Sequence, residues 1–130
     1  MNLFLPCPCR SGESYKNCCH PFHQGQSVLT ALALMRSRYS AYALGLVDYI
    51  IQTTHPQNEQ PLSRETIEQF CATTEFKNLE IFNVEEEPEK SQVTFRASLM
   101  SQGQDISFVE ESLFEKVDGQ WLYRSGVFKN

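Results

Sequence analysis

The chain changes its hydrophobic rhythm along its length. Over residues 27–45, apolar positions recur at steps of three and four. Val28, Leu32, Met35, Tyr39 and Tyr42 fall on one stripe. That period predicts an α-helix, capped by Ser27 or Thr30 and stopped at Gly45. A second short helix is expected over 46–53. It ends before His55-Pro56, because Pro56 biases His55 toward extended backbone. Residues 57–62 read as a loop. Ser63 then opens a third helix, without a full capping box, whose apolar side holds Ile67, Phe70 and Cys71.

From Phe76 onward the period becomes two. Residues 76–86 carry Leu79, Ile81 and Phe82 with imperfect alternation, and residues 85–90 form a charged turn. Val93, Phe95, Ala97 and Leu99 then alternate cleanly with Thr94, Arg96 and Ser98. Residues 101–104 make the next turn. The run 106–117 is long enough to need a bulge or strong twist. Asp118-Gly119 is a hairpin signal, and Trp121, Tyr123 and Val127 line a last strand. Three helices followed by four antiparallel strands make an α+β domain over residues 26–130. The expected shape is a strongly bent sheet folded around its helices. Its inward set is Leu32, Met35, Tyr39, Phe70, Phe95, Leu99, Phe108 and Trp121.

Residues 1–25 follow neither period. Pro6, Pro8, Gly12, Pro21 and Gly25 leave little room for hydrophobic packing, so this module needs a metal or a neighbouring surface. Four of the five cysteines, Cys7, Cys9, Cys18 and Cys19, crowd into it. An oxidised secreted chain would spread its cysteines to staple distant loops. Zinc instead wants four converging soft or borderline donors, and two cysteine pairs joined by a tight turn supply them. Gly12 suits a turn that needs positive φ. The ring of Tyr15 is placed to cover the sulfurs. The spacing leaves the fourth ligand open between Cys19 and His20. Iron–sulfur fits on ligand type but less well, and no C-x-x-C is present for a redox pair. Cys71 stands apart and reads as a small buried hydrophobe.

Composition adds limits. Apolar residues make up 41% of the 130 residues, enough to bury a core. The net charge of -5 argues against broad phosphate binding and against an anionic membrane surface. The apolar start lacks a basic region and is cut short by Pro6, so no signal peptide is expected. No run approaches the roughly 20 apolar residues of a membrane span. The expected location is the cytoplasm.

The string C-P-C-x-S-G-x-x-Y-x-x-C-C resembles the SEC-C motif, the zinc module also found at the C-terminus of the SecA preprotein translocase. The resemblance implies Cys7, Cys9, Cys18 and Cys19 as ligands of one structural zinc per chain. The family usually has Gly after its second cysteine, where this chain has Arg10. Cys18-Cys19-His20-Pro21-Phe22, Leu34-Met35-Arg36-Ser37-Arg38-Tyr39-Ser40-Ala41-Tyr42, Thr53-Thr54-His55-Pro56 and Gly119-Gln120-Trp121-Tyr123 extend the likeness. Together they resemble the YchJ-like (UPF0225) bacterial proteins over essentially the whole chain. That implies an N-terminal SEC-C module followed by a cone-shaped NTF2-like domain. Some members carry a second SEC-C module at the C-terminus, and this sequence ends at Asn130 without one. The likeness brings no established activity.

The leading functional expectation is a zinc-stabilised interaction or adaptor protein that meets a protein or ribosomal partner through residues 1–25. One alternative is a small-ligand-binding protein or enzyme with a polar pocket. Arg36 and Arg38 fall within one turn of a helix that has an apolar stripe to bury, and arginine is costly to bury unless paired. At least one of the two, together with His55, is the expected lining of such a cleft. No nucleophile, base and orienter can be assigned, so no catalytic residue is named. Nucleic-acid binding through Arg10, Lys16 and His20 is the other alternative, and the acidic balance weighs against it.

Overall fold

The computed structural model describes residues 2–59 and 63–129. Residues 60–62 of the expected 57–62 loop lie outside them. A 3₁₀ turn at Tyr15–Asn17 and a short helix, α1 (His20–His23), close the cysteine-rich segment. Three longer helices follow: α2 (Ala31–Leu44), α3 (Val47–Gln52) and α4 (Arg64–Thr73). The strands are β1 (Thr74–Glu86), β2 (Lys90–Ser101), β3 (Gln104–Asp105), β4 (Phe108–Val117) and β5 (Gln120–Lys129).

Local chemistry sets the helix ends. Thr30 caps α2, its Oγ1 accepting from the Ala33 N–H at 3.0 Å. Gly45 ends α2 in the left-handed region at φ 73°, which a side chain would strain. Ser63 caps α4 by accepting from the Thr66 N–H at 3.3 Å.

The expected shape, three helices against four strands curled into a cone, needs correction. The described residues hold four α-helices and five strands. The extra helix is α1, started by Pro21 at its first turn, where a missing N–H costs nothing. The extra strand falls at the end of the expected 101–104 turn, and the strand expected over 106–117 starts late, at Phe108. Ser107 donates its N–H to Asp105 Oδ1 at 2.9 Å, and its hydroxyl accepts from the Leu99 N–H at 2.9 Å. These side-chain bonds replace ladder bonds and leave β3 as a two-residue stub. The sheet also stays open. Its order is β1-β2-β4-β5, so β1 and β5 are separate edges rather than a closed seam. Part of the β5 edge is covered instead by the segment after α3. The Tyr123 N–H donates to Thr53 O at 2.8 Å, and the His55 N–H donates to Tyr123 O at 2.8 Å.

The core lies between α2 and the sheet. Val93, Phe95, Ala97 and Leu99 are all buried, as their alternation predicts. Met35, Tyr39 and Trp121 join them, while Leu32, Phe70 and Phe108 pack against this cluster half-buried. A second cluster holds Ala41, Val47, Ile50 and Ile67, with Cys71 half-buried against it. Apolar contact on the sheet side of α2 therefore accounts for one face of the helix. The other face carries the site described next.

Candidate metal centre

The cysteines are brought together by a small hairpin. Pro6 and Ser14 form an antiparallel bridge, the Cys7 N–H donates to Glu13 O at 2.8 Å, and the Tyr15 N–H donates to Leu5 O at 2.9 Å. Within it the Arg10 N–H donates to Cys7 O at 3.1 Å, a turn that folds Cys9 back beside Cys7. Arg10 takes φ 65° to do so, the conformation in which glycine is unstrained. The 3₁₀ turn then returns the chain to Cys18 and Cys19. Cys18, at φ -128° and ψ -98°, is not in regular structure, so the adjacent side chains turn to the same side.

The four Sγ atoms all lie within 4.8 Å of one another. Cys9 and Cys18 are 3.5 Å apart and Cys18 and Cys19 are 3.9 Å apart, yet all four are free thiols. A tetrahedral zinc site with Zn–S bonds of about 2.3 Å has sulfurs about 3.8 Å apart, so the group fits such an ion with little movement. Cys7, Cys9 and Cys19 are buried and Cys18 is half-buried. His20 is not in the group. It starts α1 and packs edge-on against Tyr15, ring centroids 5.2 Å apart.

The electrostatics favour a cation. Hydrogen bonds from Cys19 and Cys7 hold the Cys9 thiol far below its usual range. The same pairing with Cys7 and Cys9, reinforced by burial, pushes Cys19 far up. Burial raises Cys18 to about 11. One thiolate is thus stabilised by its neighbours, while further ionisation is opposed by burial and like charge. A bound divalent ion removes that opposition.

Surrounding groups fix the cluster. Ser11 Oγ lies 3.1 Å from Cys18 Sγ, and Ser40 Oγ, from α2, lies 3.3 Å from Cys7 Sγ. Tyr15 is buried against the cysteines. Its ring also packs at 5.6 Å from His23, and its hydroxyl lies 2.6 Å from His23 Nδ1. His23 Nε2 lies 2.8 Å from Ser37 O. A carbonyl can only accept, so Nε2 carries the proton and the Tyr15 hydroxyl donates to Nδ1. Burial lowers the His23 pKa, which suits this neutral ring.

Of Arg36, Arg38 and His55, the cavity beside α2 takes only Arg38 into its lining. Arg36 points to the cysteine hairpin, where its Nη1 donates to Cys9 O at 2.9 Å. Arg38 points the other way and lines a cavity of about 420 Å³ between α2, α4 and the sheet. His55 is buried beside β5, its Nδ1 accepting from the Gln57 N–H at 2.9 Å, and it does not line that cavity. Tyr39 and Glu110 also line the cavity, whereas Arg96 is exposed. The contributions of Ser40 and His23 were not read from the sequence. Ser40 had one legible signal, since it stands four residues after Arg36 and so shares its helix face.

The family model for the middle NTF2-like domain of YchJ matches residues 30–126, and the SEC-C motif model matches residues 5–21. A UPF0225 protein of Actinobacillus succinogenes is 38% identical over 120 residues, spanning 90% of this chain and 78% of that protein. The solution structure of a SEC-C motif containing protein from Rhodopseudomonas palustris superposes with a TM-score of 0.86 at 32% identity. The match covers 95% of this chain and 98% of that one. The crystal structure of a SEC-C motif containing protein from Psychrobacter arcticus gives 0.82 at 26% identity, covering 100% of this chain and 86% of that one.

Proposed function

This chain belongs to the YchJ-like (UPF0225) family, and on that premise we propose that it is a zinc-stabilised adaptor. Residues 1–25 form the docking module and residues 26–130 the scaffold that holds it. The observation that carries this reading is the convergence of Cys7, Cys9, Cys18 and Cys19 within 4.8 Å. With four protein sulfurs around one zinc, no position is left for water or substrate. The metal is then structural and supplies folding energy to a segment too small to hold itself.

The module presents an apolar tip. Phe4 is 75% exposed and Leu5 51% exposed, and the Lys16 ammonium sits 5.2 Å from the centre of the Phe4 ring. Two apolar side chains beside a cation suit a protein surface with a shallow recess and a carboxylate at its rim. The partner is a protein, free or on the ribosome. The net charge of -5 disfavours a nucleic-acid backbone in that role.

Two measurements test this. Metal analysis of protein purified in reducing buffer should find about one zinc per chain, and Cys7→Ser or Cys18→Ser should abolish it. A photo-crosslinker at the Leu5 position should trap a discrete protein partner, and a second substitution, Phe4→Ser, should abolish the crosslink. Protein without stoichiometric metal, or crosslinking unaffected by Phe4→Ser, would reject the corresponding half of the reading.

A further inference from the structure

The cavity beside α2 is independent of the cysteine cluster and has a composition of its own. Met35, Phe70, Phe95, Phe108 and Phe114 give it apolar walls. Phe108 packs edge-on against Phe95 and Phe128, ring centroids 6.1 and 5.3 Å apart. Polar groups gather at Arg38, Glu110, Ser112 and Tyr123. Glu110 is locally satisfied: the hydroxyls of Ser112 and Tyr123 both donate to its Oε2, Tyr123 at 3.1 Å.

Arg38 is not satisfied. It is only 8% exposed, and no carboxylate among the described residues pairs with it. Its three hydrogen bonds all leave from Nη1, to Ile50 O at 3.0 Å, Thr53 Oγ1 at 2.8 Å and Thr54 Oγ1 at 3.1 Å. One face of the guanidinium lies over the Tyr123 ring at 4.8 Å. Nε and Nη2 donate to nothing among the described residues. Among the described residues the fully occluded side-chain atoms without a partner are Thr74 Oγ1 and Trp121 Nε1, so the free edge of Arg38 keeps access to open space. A buried guanidinium with two idle donors, on the wall of an apolar cavity, asks for an acceptor.

We propose that this cavity binds a small, mainly apolar molecule with one uncharged polar head of the amide or lactam type. The head accepts from the free edge of Arg38 and donates toward Glu110. Two features set this class. A volume of about 420 Å³ lies within the range of small-molecule sites and suits a one- or two-ring body. The cavity also already holds one positive and one negative side chain. A carboxylate head would pair with Arg38 but oppose Glu110, and an ammonium head would pair with Glu110 but oppose Arg38. A neutral head that both accepts and donates serves the two together.

The test compares three probes with one body: 2-naphthylacetamide, 2-naphthylacetate and 2-naphthylethylamine. Each is titrated into the zinc-loaded full chain, with backbone amide shifts followed by NMR. The amide should give saturable shifts centred on Phe95, Phe108 and Glu110, and bind about tenfold more tightly than either charged probe. Glu110→Gln retains an acceptor for Ser112 and Tyr123 but removes the negative charge, so it should move the preference to the carboxylate. Arg38→Met should weaken the amide. Where Arg38→Met loses its dispersed spectrum, the Glu110→Gln comparison decides alone. The proposal fails if none of the probes gives saturable shifts, or if the shifts lie outside the cavity. It fails equally if the unsubstituted protein prefers a charged probe, or if Glu110→Gln leaves the order unchanged.

Discussion

The guanidinium of Arg36 donates to the backbone oxygen of Cys9 at 2.9 Å, so one residue of α2 grips the turn between two of the clustered thiols. Arg38, two residues on, faces the opposite side. Two steps along a helix turn the side chain by about 200°, which sends one arginine to the cysteine hairpin and the other to the cavity. Helix α2 is therefore buried on two faces, with Arg36 and Ser40 toward the hairpin and Met35, Arg38, Tyr39 and Tyr42 toward the cavity. Through this helix the hairpin and the sheet share one support.

Arg36→Ala should loosen the hairpin without unfolding the sheet. Losing a charge-assisted bond to a backbone carbonyl removes about 1–3 kcal/mol locally, and the half-buried position of Arg36 places the effect toward the lower end. Zinc release to a competing chelator should speed up, while the sheet's circular dichroism and melting stay near those of the parent. Arg36→Lys should restore part of the retention. An unchanged release rate in Arg36→Ala would mean the contact is incidental.

Ser40 tests the same support from inside. Its hydroxyl is fully buried 3.3 Å from Cys7 Sγ. Outer-shell partners of metal ligands typically tune affinity by about 10–100-fold, so Ser40→Ala should weaken zinc binding by about tenfold. Cys71→Ser, outside the cluster, should leave zinc stoichiometry and affinity unchanged.

What the sequence made legible was local. Thr30, Gly45 and Ser63 carry their capping chemistry with them, and the alternation of Val93 through Leu99 depends only on a period of two. The four clustered cysteines lie close enough along the chain for their convergence to be read from spacing. Other features depended on residues far apart. The 106–117 run gave no sign that Ser107 would trade ladder bonds for Asp105 and Leu99. The open sheet follows from which segment covers β5, and that segment, Thr53 to His55, is some seventy residues away. The polar end of the cavity joins α2 to β4 and β5. Its one sequence trace is Glu110, Ser112 and Phe114 at period two, a polar pair leading into a buried phenylalanine on one strand face.

Gly126 guards that polar end. Its partner across the ladder is Ser112. A Cβ added there would stand only 2.5 Å from Glu110 Cδ and 2.6 Å from the Tyr123 hydroxyl. Neither can yield freely, because the carboxylate and hydroxyl are bonded to each other and Ser112 holds the same oxygen. Gly126→Ala should cost about 1–3 kcal/mol in chemical unfolding and disturb the amide signals of Glu110 and Tyr123. The substitution leaving both stability and those signals unaltered would show that the cluster is loosely held.

Alkaline pH should unlock the core through Tyr39. Burial raises its pKa from the ordinary 10.0 to about 12, against the smaller opposing effects of Arg10 and of its bond to Asn78 O. Burial likewise raises Tyr15 to about 12, with Cys19 and Cys7 adding to it. A hydroxyl whose folded pKa lies above its unfolded value favours the fold while it stays protonated. That contribution is whole below about pH 10 and is lost as pH rises through about 12. The phenolate absorbance of Tyr39 and Tyr15 should therefore emerge together with the loss of circular dichroism above about pH 10, rather than first in an intact fold. Tyr39→Phe separates the two effects. It removes the 3.0 Å bond to Asn78 O and should lower stability at neutral pH by about 1 kcal/mol. It also removes a titrating group, so its alkaline midpoint should lie higher relative to its own neutral stability. Full phenolate absorbance near pH 10 with the circular dichroism intact would show that these rings already reach solvent in the folded protein.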